Sequence, residues 1–390
     1  MGHIVLLIPN LYKYQIAIII MKKSNFVVTP YKVEGEVDYD KLMKDFGSEE
    51  ISGVVLDKLR KMHPILRRGF YFSHRDFPLW LKEAESGKKV SILSGRGPSE
   101  NMHLGHLIPF LATKSLQEQF GCNVYIPISD DEKFFVKRDL SFDNASKFAE
   151  DNILDILALG FKHGKTFVFR DFSYPKIYPY ASRIAKLISY STAKAVFGLA
   201  PENNIGWSFY PAVQSAHILM PQFLEGEHLT LVPVGIDQDP FIRLTRDIAE
   251  NKSISLRKPC AIHSKFLPGL KGNAKMSSSD SENDVIYLND NEKSVEMKIK
   301  KYAFSGGRDS LEEHKKYGGN TDIDVSFQYL KFFFEEDDKK LLKIEQDYKS
   351  GKMLTSELKN YAISKINAFL KEHQKKKDAL RKSVEKFMLG

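Results

Sequence analysis

Two histidines flank a glycine at His103, Gly105 and His106, and one lysine leads a run of hydroxyls at Lys275, Met276, Ser277, Ser278 and Ser279. Three residues apart on a helical first turn, the imidazoles share one face. Gly105 between them leaves room for a flat ring to lie against backbone. A lysine and three serines on a loop opened by Gly269, Gly272 and Asn273 suit a leaving pyrophosphate. Alone, the first set passes for two surface histidines and the second for an ordinary polar loop. Together, in this order on either side of an alternating strand and helix region, they point to one crevice that grips a triphosphate.

The elements that must position them are legible as patterns. Residues 90–93 read as a buried strand and 107–120 as a helix, joined by a turn holding Gly95, Arg96 and Gly97. Such a strand-to-helix turn is where nucleotide-binding folds place phosphate. Its glycines allow close backbone approach, and the helix N-terminus favours an anion by ~0.3–2 kcal/mol. Strands are predicted at 124–128, 166–170 and 229–234, and helices at 144–159, ended by Gly160, and at 240–250. Right-handed crossovers stack these strands into a parallel sheet with the crevice at their C-terminal ends. The loops at Ser94, Ser129 and Gly235 should converge there. Upstream, 40–46, 49–62 and 78–86 have helical spacing, and 65–76 is a basic and aromatic connector. Residues 171–209 break the alternation. Beyond the lysine loop, helices are expected at 292–302, 326–334, 340–348 and 354–388, rich in lysine, including Lys375, Lys376 and Lys377.

Size and composition set the bounds. A chain of 390 residues exceeds one typical core, so two domains are the default expectation. Hydrophobic content of 42% with 28% charged residues fits an ordinary globular protein. The net charge of +8 favours an anionic partner such as RNA. Two cysteines, Cys122 and Cys260, argue against a disulfide framework and for a reducing compartment. Apolar runs at 4–8 and 16–21 are shorter than the ~20 residues of a membrane helix, so no membrane association is expected.

The wording around both sets resembles the class I aminoacyl-tRNA synthetases, and within them the archaeal and eukaryotic tryptophanyl-tRNA synthetases. The likeness rests on Gly95-Arg96-Gly97-Pro98-Ser99 leading into Met102-His103-Leu104-Gly105-His106, on Ser129-Asp130-Asp131-Glu132-Lys133, on Tyr210-Pro211-Ala212-Val213-Gln214, on Gly235-Ile236-Asp237-Gln238-Asp239 and on Lys275 to Ser279. It implies an α/β chain with a Rossmann-like parallel-sheet catalytic domain at 90–280, an inserted dimerisation segment at about 171–209, and a C-terminal α-helical anticodon-binding domain at 281–390. Residues 1–89 would be an N-terminal extension and helical segment packed on that core. It also implies a cytoplasmic homodimer that charges tRNA, here tRNA(Trp), with tryptophan, using ATP and Mg²⁺ held through ATP phosphates. By resemblance, His103, His106, Lys275, Ser277 and Ser278 are catalytic. Gly95, Arg96, Gly97, Gly105, Lys133, Asp237, Met276 and Ser279 join them around ATP. Glu132 would anchor the substrate ammonium, with Gln214 and Gln238 as neutral polar contacts. The 65–76 stretch lies near the tRNA end in this family, and lysines of the last helices meet tRNA phosphate. No protein metal site is implied.

Two positions depart from the family pattern. Leu93 stands where tyrosine usually precedes the glycine turn, and Pro127 where glutamine usually precedes the acidic motif. The resemblance assigns both family side chains to the indole N–H. A site that hydrogen-bonds a substrate N–H rejects analogues by roughly 10⁴–10⁵, whereas apolar discrimination of a methylene gives roughly 10–200-fold. The expectation is an intact ATP half beside an altered amino-acid half. That leaves open a paralogue with weak or changed amino-acid specificity, or a nucleotide- or RNA-binding regulator that charges no tRNA. The tyrosine-specific sister enzyme is the other alternative.

Overall fold

The computed structural model describes residues 27–29, 32–35, 37–273, 275–276 and 281–390. The apolar runs at 4–8 and 16–21, and Ser277, Ser278 and Ser279, lie outside the described residues. Strands β1 (Val27–Thr29) and β2 (Lys32–Glu34) form an antiparallel hairpin. The other strands are β3 (Glu49–Glu50), β4 (Tyr71–Arg75), β5 (Val90–Leu93), β6 (Asn123–Ile128), β7 (Thr166–Arg170), β8 (Leu229–Gly235) and β9 (Cys260–Ser264). They form one sheet in the order β3-β4-β9-β8-β5-β6-β7.

The expected parallel stack holds for β8, β5, β6 and β7, and β9, which the sequence did not suggest, joins it parallel to β8. The sheet as a whole is mixed, because β3 and β4 add an antiparallel edge beside β9. The helix expected over 49–62 is therefore shorter. Glu49 and Glu50 pair with Ser73 and His74, and the helix runs Gly53–Leu59. The connector at 65–76 contains β4, which the sequence hid behind its basic residues. Arg75 is tolerated there because Asp239 receives it through two hydrogen bonds of 2.7 and 2.8 Å, the bidentate geometry that best neutralises a guanidinium.

Strand β5 is buried along its whole length, as a strand flanked on both faces must be. A serine cap opens the helix Phe142–Leu157, where Ser141 accepts from the Asn144 N–H. Helix Ile205–Glu225 contains Pro211 and Pro221 and buries most of its length. Propensity disfavours such a helix, so packing sustains it.

The C-terminal helices share the core of the sheet. Trp80, Ile92, Val124, Tyr329, Leu330 and Ile366 belong to one buried cluster. The helix Thr355–Leu380 docks on Phe142–Leu157 through Lys377, whose ammonium lies 2.8 Å from Asp151 and 2.9 Å from Asp155. Beyond it, Phe387 is buried. The Leu389 N–H donates to the Val168 carbonyl at 2.7 Å, and Met388 bridges parallel to Val168 on the outer strand β7.

Candidate functional site

The first loop is held by main chain on one side and an asparagine on the other. The Arg96 N–H donates to the Pro127 carbonyl at 3.0 Å, and the Ser129 N–H to the Arg96 carbonyl at 2.8 Å. The β5–β6 pairing thus continues past the strand ends and sets the glycine turn beside the acidic motif. Asn152 accepts from Arg96 Nε at 2.9 Å and donates to the Ser99 carbonyl at 2.8 Å. Asn152 was not among the residues expected at the site. Its signal was a polar residue on the inward face of an amphipathic helix.

The two histidines sit as neighbours on a 3₁₀ turn, Leu104–Leu107. Their rings stack at 3.5 Å with 25° between planes, and His106 Nδ1 accepts from the His103 N–H at 3.1 Å. Both ring nitrogens of His103 are buried without a hydrogen-bond partner. Burial, followed by the charges of Arg96 and Lys275, pulls His103 down to about 3. Burial also holds His106 well below the usual range, with Arg96, His103, Lys133 and Lys275 adding to it. At neutral pH both imidazoles are uncharged, and each can offer one N–H to an anion.

The lysine loop comes to the same place. Met276 Cβ lies 3.6 Å from where a β-carbon on Gly105 would stand, and the His103 ring 3.2 Å from it. Past the serines, the chain returns against the histidine turn. The Leu104 N–H donates to the Ile286 carbonyl at 3.1 Å and the Leu288 N–H to the Met102 carbonyl at 2.9 Å. His103 and Tyr287 form an antiparallel bridge. Lys275 Nζ pairs with Asp237 Oδ2 at 2.8 Å and lies 5.0 Å from the Phe266 ring centre. Asp237 and Gln238 come from the turn Ile236–Gln238 after β8, and Gln238 Nε2 donates to Asp237 at 3.2 Å.

On the other side of the loop, the Glu132 carboxylate lies against Gly97, and Lys133 Cε is 2.7 Å from a β-carbon built there. Lys133 Nζ is 3.6 Å from Glu132 Oε2. Gln214 accepts from the Tyr210 hydroxyl at 2.6 Å. Leu93 is buried among Tyr125, Ile218, Val232, Ile242 and Ala261, and the Pro127 ring abuts Gly95. Three cations, Arg96, Lys133 and Lys275, therefore act on one neutral imidazole pair, with the Glu132 carboxylate alongside. This arrangement can bind a polyphosphate next to an ammonium.

Some basic residues of the two regions expected to meet RNA are engaged within the protein. Arg67 and Arg68 hydrogen-bond Asp338, and Arg68 also donates to the Lys331 and Glu335 carbonyls at 2.6 Å. They tie the 64–68 turn to the C-terminal helices, as a structural connector does. Of the lysine triplet, Lys377 is taken by Asp151 and Asp155, while Lys375 is exposed.

The family described as "tRNA synthetases class I (W and Y)" matches residues 85–371. A tryptophan–tRNA ligase of Sulfurisphaera tokodaii is 50% identical over 371 residues, covering 93% of this chain and 95% of the relative. Among solved structures, the tryptophanyl-tRNA synthetase of Plasmodium falciparum aligns with a TM-score of 0.82 at 39% identity, over 90% of this chain and 95% of that one. That of Encephalitozoon cuniculi, solved bound to tryptophan, aligns with a TM-score of 0.83 at 35% identity, over 91% and 98%. Nothing in these likenesses favours a paralogue of changed specificity or a non-charging regulator.

Proposed function

The chain belongs to the class I tRNA synthetases of the tryptophan and tyrosine group, and we propose how its own residues activate tryptophan with ATP and pass it to tRNA(Trp). Activation is an in-line attack of the tryptophan carboxylate on the α-phosphorus of ATP, releasing pyrophosphate. The nucleophile belongs to the substrate, so the protein's work is to juxtapose two anions and to stabilise charge on the leaving group. His103 and His106 donate N–H groups to ATP phosphates, and Gly105, having no side chain, lets the His103 ring and Met276 lie against the turn that meets the nucleotide. Gly95 and Gly97 let the loop close on the nucleotide, and Arg96 and Lys133 balance its charge. Burial brings Arg96 down to about 9, against the pull of Glu132 and Asp155, so it remains charged at neutral pH.

Lys275 leaves Asp237 for the β- and γ-phosphates as Met276 and the three serines close over them. Glu132 receives the tryptophan ammonium, and Gln214 and Gln238 make neutral contacts beside it. Mg²⁺ is assigned phosphate ligands, where it would lessen the charge the nucleophile must approach. In the same reading, 281–390 reads the anticodon, about 171–209 forms a homodimer contact, 1–89 supports the catalytic unit at 90–280, and the enzyme acts in the cytoplasm. No described helix is long and apolar enough to cross a membrane.

The observation that carries this reading is the lacing of 286–288 onto 102–104, which brings the lysine loop and the histidine turn to one mouth. ATP–pyrophosphate exchange assayed with each amino acid in turn tests it. Exchange with tryptophan alone is expected. Exchange only with tyrosine, or with none, overturns it.

A further inference from the structure

An enzyme that selects tryptophan must find an acceptor for the one N–H of the indole, because a buried donor left unpaired is costly. Leu93 and Pro127, on the strands flanking the glycine turn, offer no side-chain acceptor. One turn beyond Gln214, on the same face of helix Ile205–Glu225, stands His217. Tyr210, Gln214 and His217 are four and three residues apart, the spacing that aligns side chains along a helix.

His217 is 1% exposed. Its Nε2 lies 2.7 Å from Asp171 Oδ1, while its Nδ1 is buried with no hydrogen-bond partner. Burial holds Asp171 well above the usual carboxylate range, but its hydrogen bond with Asp131 pulls the other way, and Asp131, pushed up to about 9 by burial and by Asp171, is the member of that pair that keeps a proton. With the pair's proton on Asp131, the Asp171 oxygen at Nε2 accepts from the ring and leaves the Nδ1 lone pair to accept. The ring stays uncharged. Burial pulls it down to about 4, and the opposing charges of Asp131, Glu132 and Asp130 do not restore it.

The pair lies beside the acidic motif. Asp171 directly follows β7, and its N–H donates to the Ile128 carbonyl at 3.3 Å. The His217 ring is 5.8 Å from Phe169, the register partner of Pro127. Asp131, next to Asp171, accepts from the Glu132 N–H at 2.6 Å and from the Tyr178 hydroxyl at 3.4 Å. Asp130 is taken up by Arg170 and the Phe172 N–H.

We infer that His217 Nδ1 is the acceptor for the indole N–H of tryptophan, with Asp171 as the positioning residue that fixes its tautomer. The inference rests on the tryptophan reading above and names the group that enforces it. Leu93 and Pro127 then shape the pocket walls, and the acceptor comes from a helix rather than from a strand.

The test compares tryptophan with its benzothiophene isostere, in which sulfur replaces N–H, in pyrophosphate exchange. The parent enzyme is expected to favour tryptophan by about 30-fold or more in kcat/KM, the penalty of an unpaired buried acceptor. His217→Leu should bring the two within about 3-fold, chiefly by raising KM for tryptophan, with KM for ATP unchanged. His217→Asn, which keeps a carbonyl acceptor, should retain part of the preference. A parent that does not discriminate overturns the inference even if the leucine variant fails to fold. So does a His217→Leu enzyme that discriminates as well as the parent. Absence of any tryptophan-dependent exchange in the parent would instead overturn the functional reading itself.

Discussion

The Glu132 carboxylate occupies the space that a side chain on Gly97 would need. A β-carbon built on Gly97 falls far inside contact distance of Glu132 Oε2 and 2.7 Å from Lys133 Cε. Gly97 is kept open by the neighbour it must admit. Gly97→Ala should push Glu132 from its place and raise KM for tryptophan about 10-fold or more, with a smaller effect on KM for ATP. Steady-state exchange kinetics with each substrate varied separately check this. An alanine variant with parental KM for tryptophan would mean that Glu132 does not hold the ammonium.

Neutralising that carboxylate asks the same question without a steric change. Glu132→Gln should weaken tryptophan by ~1.5–3 kcal/mol, the range for hydrogen bonds to charged groups, or roughly 10–150-fold in Kd. Calorimetric titration of tryptophan into the variant measures it.

Lys275 should matter to rate more than to amino-acid binding. Its ammonium rests on Asp237 at 2.8 Å and must move to the phosphates. Lys275→Ala should lower kcat by ~10²–10³, as removal of one transition-state charge contact does, and leave tryptophan affinity within about 3-fold. Single-turnover adenylate formation is the appropriate measurement.

The histidine pair carries a pH signature. His103 is held at about 3 from an ordinary 6.5, so below pH 6.5 the unfolded chain takes up a proton that the folded one refuses. Its contribution is complete above that pH and is lost as pH falls towards 3. The unfolding free energy of the parent should therefore drop more steeply than that of His103→Gln between pH 6 and 4, by about 1 kcal/mol per pH unit. Urea titrations across that window decide it, and parallel slopes would contradict the buried neutral state.

Lys377 should behave as a structural lysine. It is largely buried, with Asp155 nearly fully buried and Asp151 more exposed. Lys377→Ala should cost about 1–3 kcal/mol, less than a fully buried pair because of that exposure. Affinity for tRNA should stay within about 3-fold of the parent in filter binding, whereas a phosphate-contacting lysine would also change the salt dependence.

Much of this was readable from local pattern, where pattern and environment agree. The strand at 90–93 and the strand at 166–170 are apolar or alternating stretches bounded by turns, and each has the expected bounds. β4 escaped because Arg75 and His74 look like surface residues until Asp239, 164 positions away, neutralises the arginine. β9 escaped because five residues without alternation carry almost no periodic signal. At the site, the histidines and Lys275 announced themselves by spacing. Asn152, Asp171 and His217 did not, since their partners lie in other elements and only folding assigns them work. Within the lysine triplet, nothing local says that Asp151 and Asp155 await Lys377.

The last residues beside β7 have a consequence for life in a crowded solution. An outermost strand with idle amides and carbonyls invites a stranger's strand to join, and long open margins are how sheets of different molecules fuse. Here the opposite margin is only two residues long, and on β7 the Val168 carbonyl is already occupied by the Leu389 amide. The chain's own tail thus helps close the sheet against polymerisation.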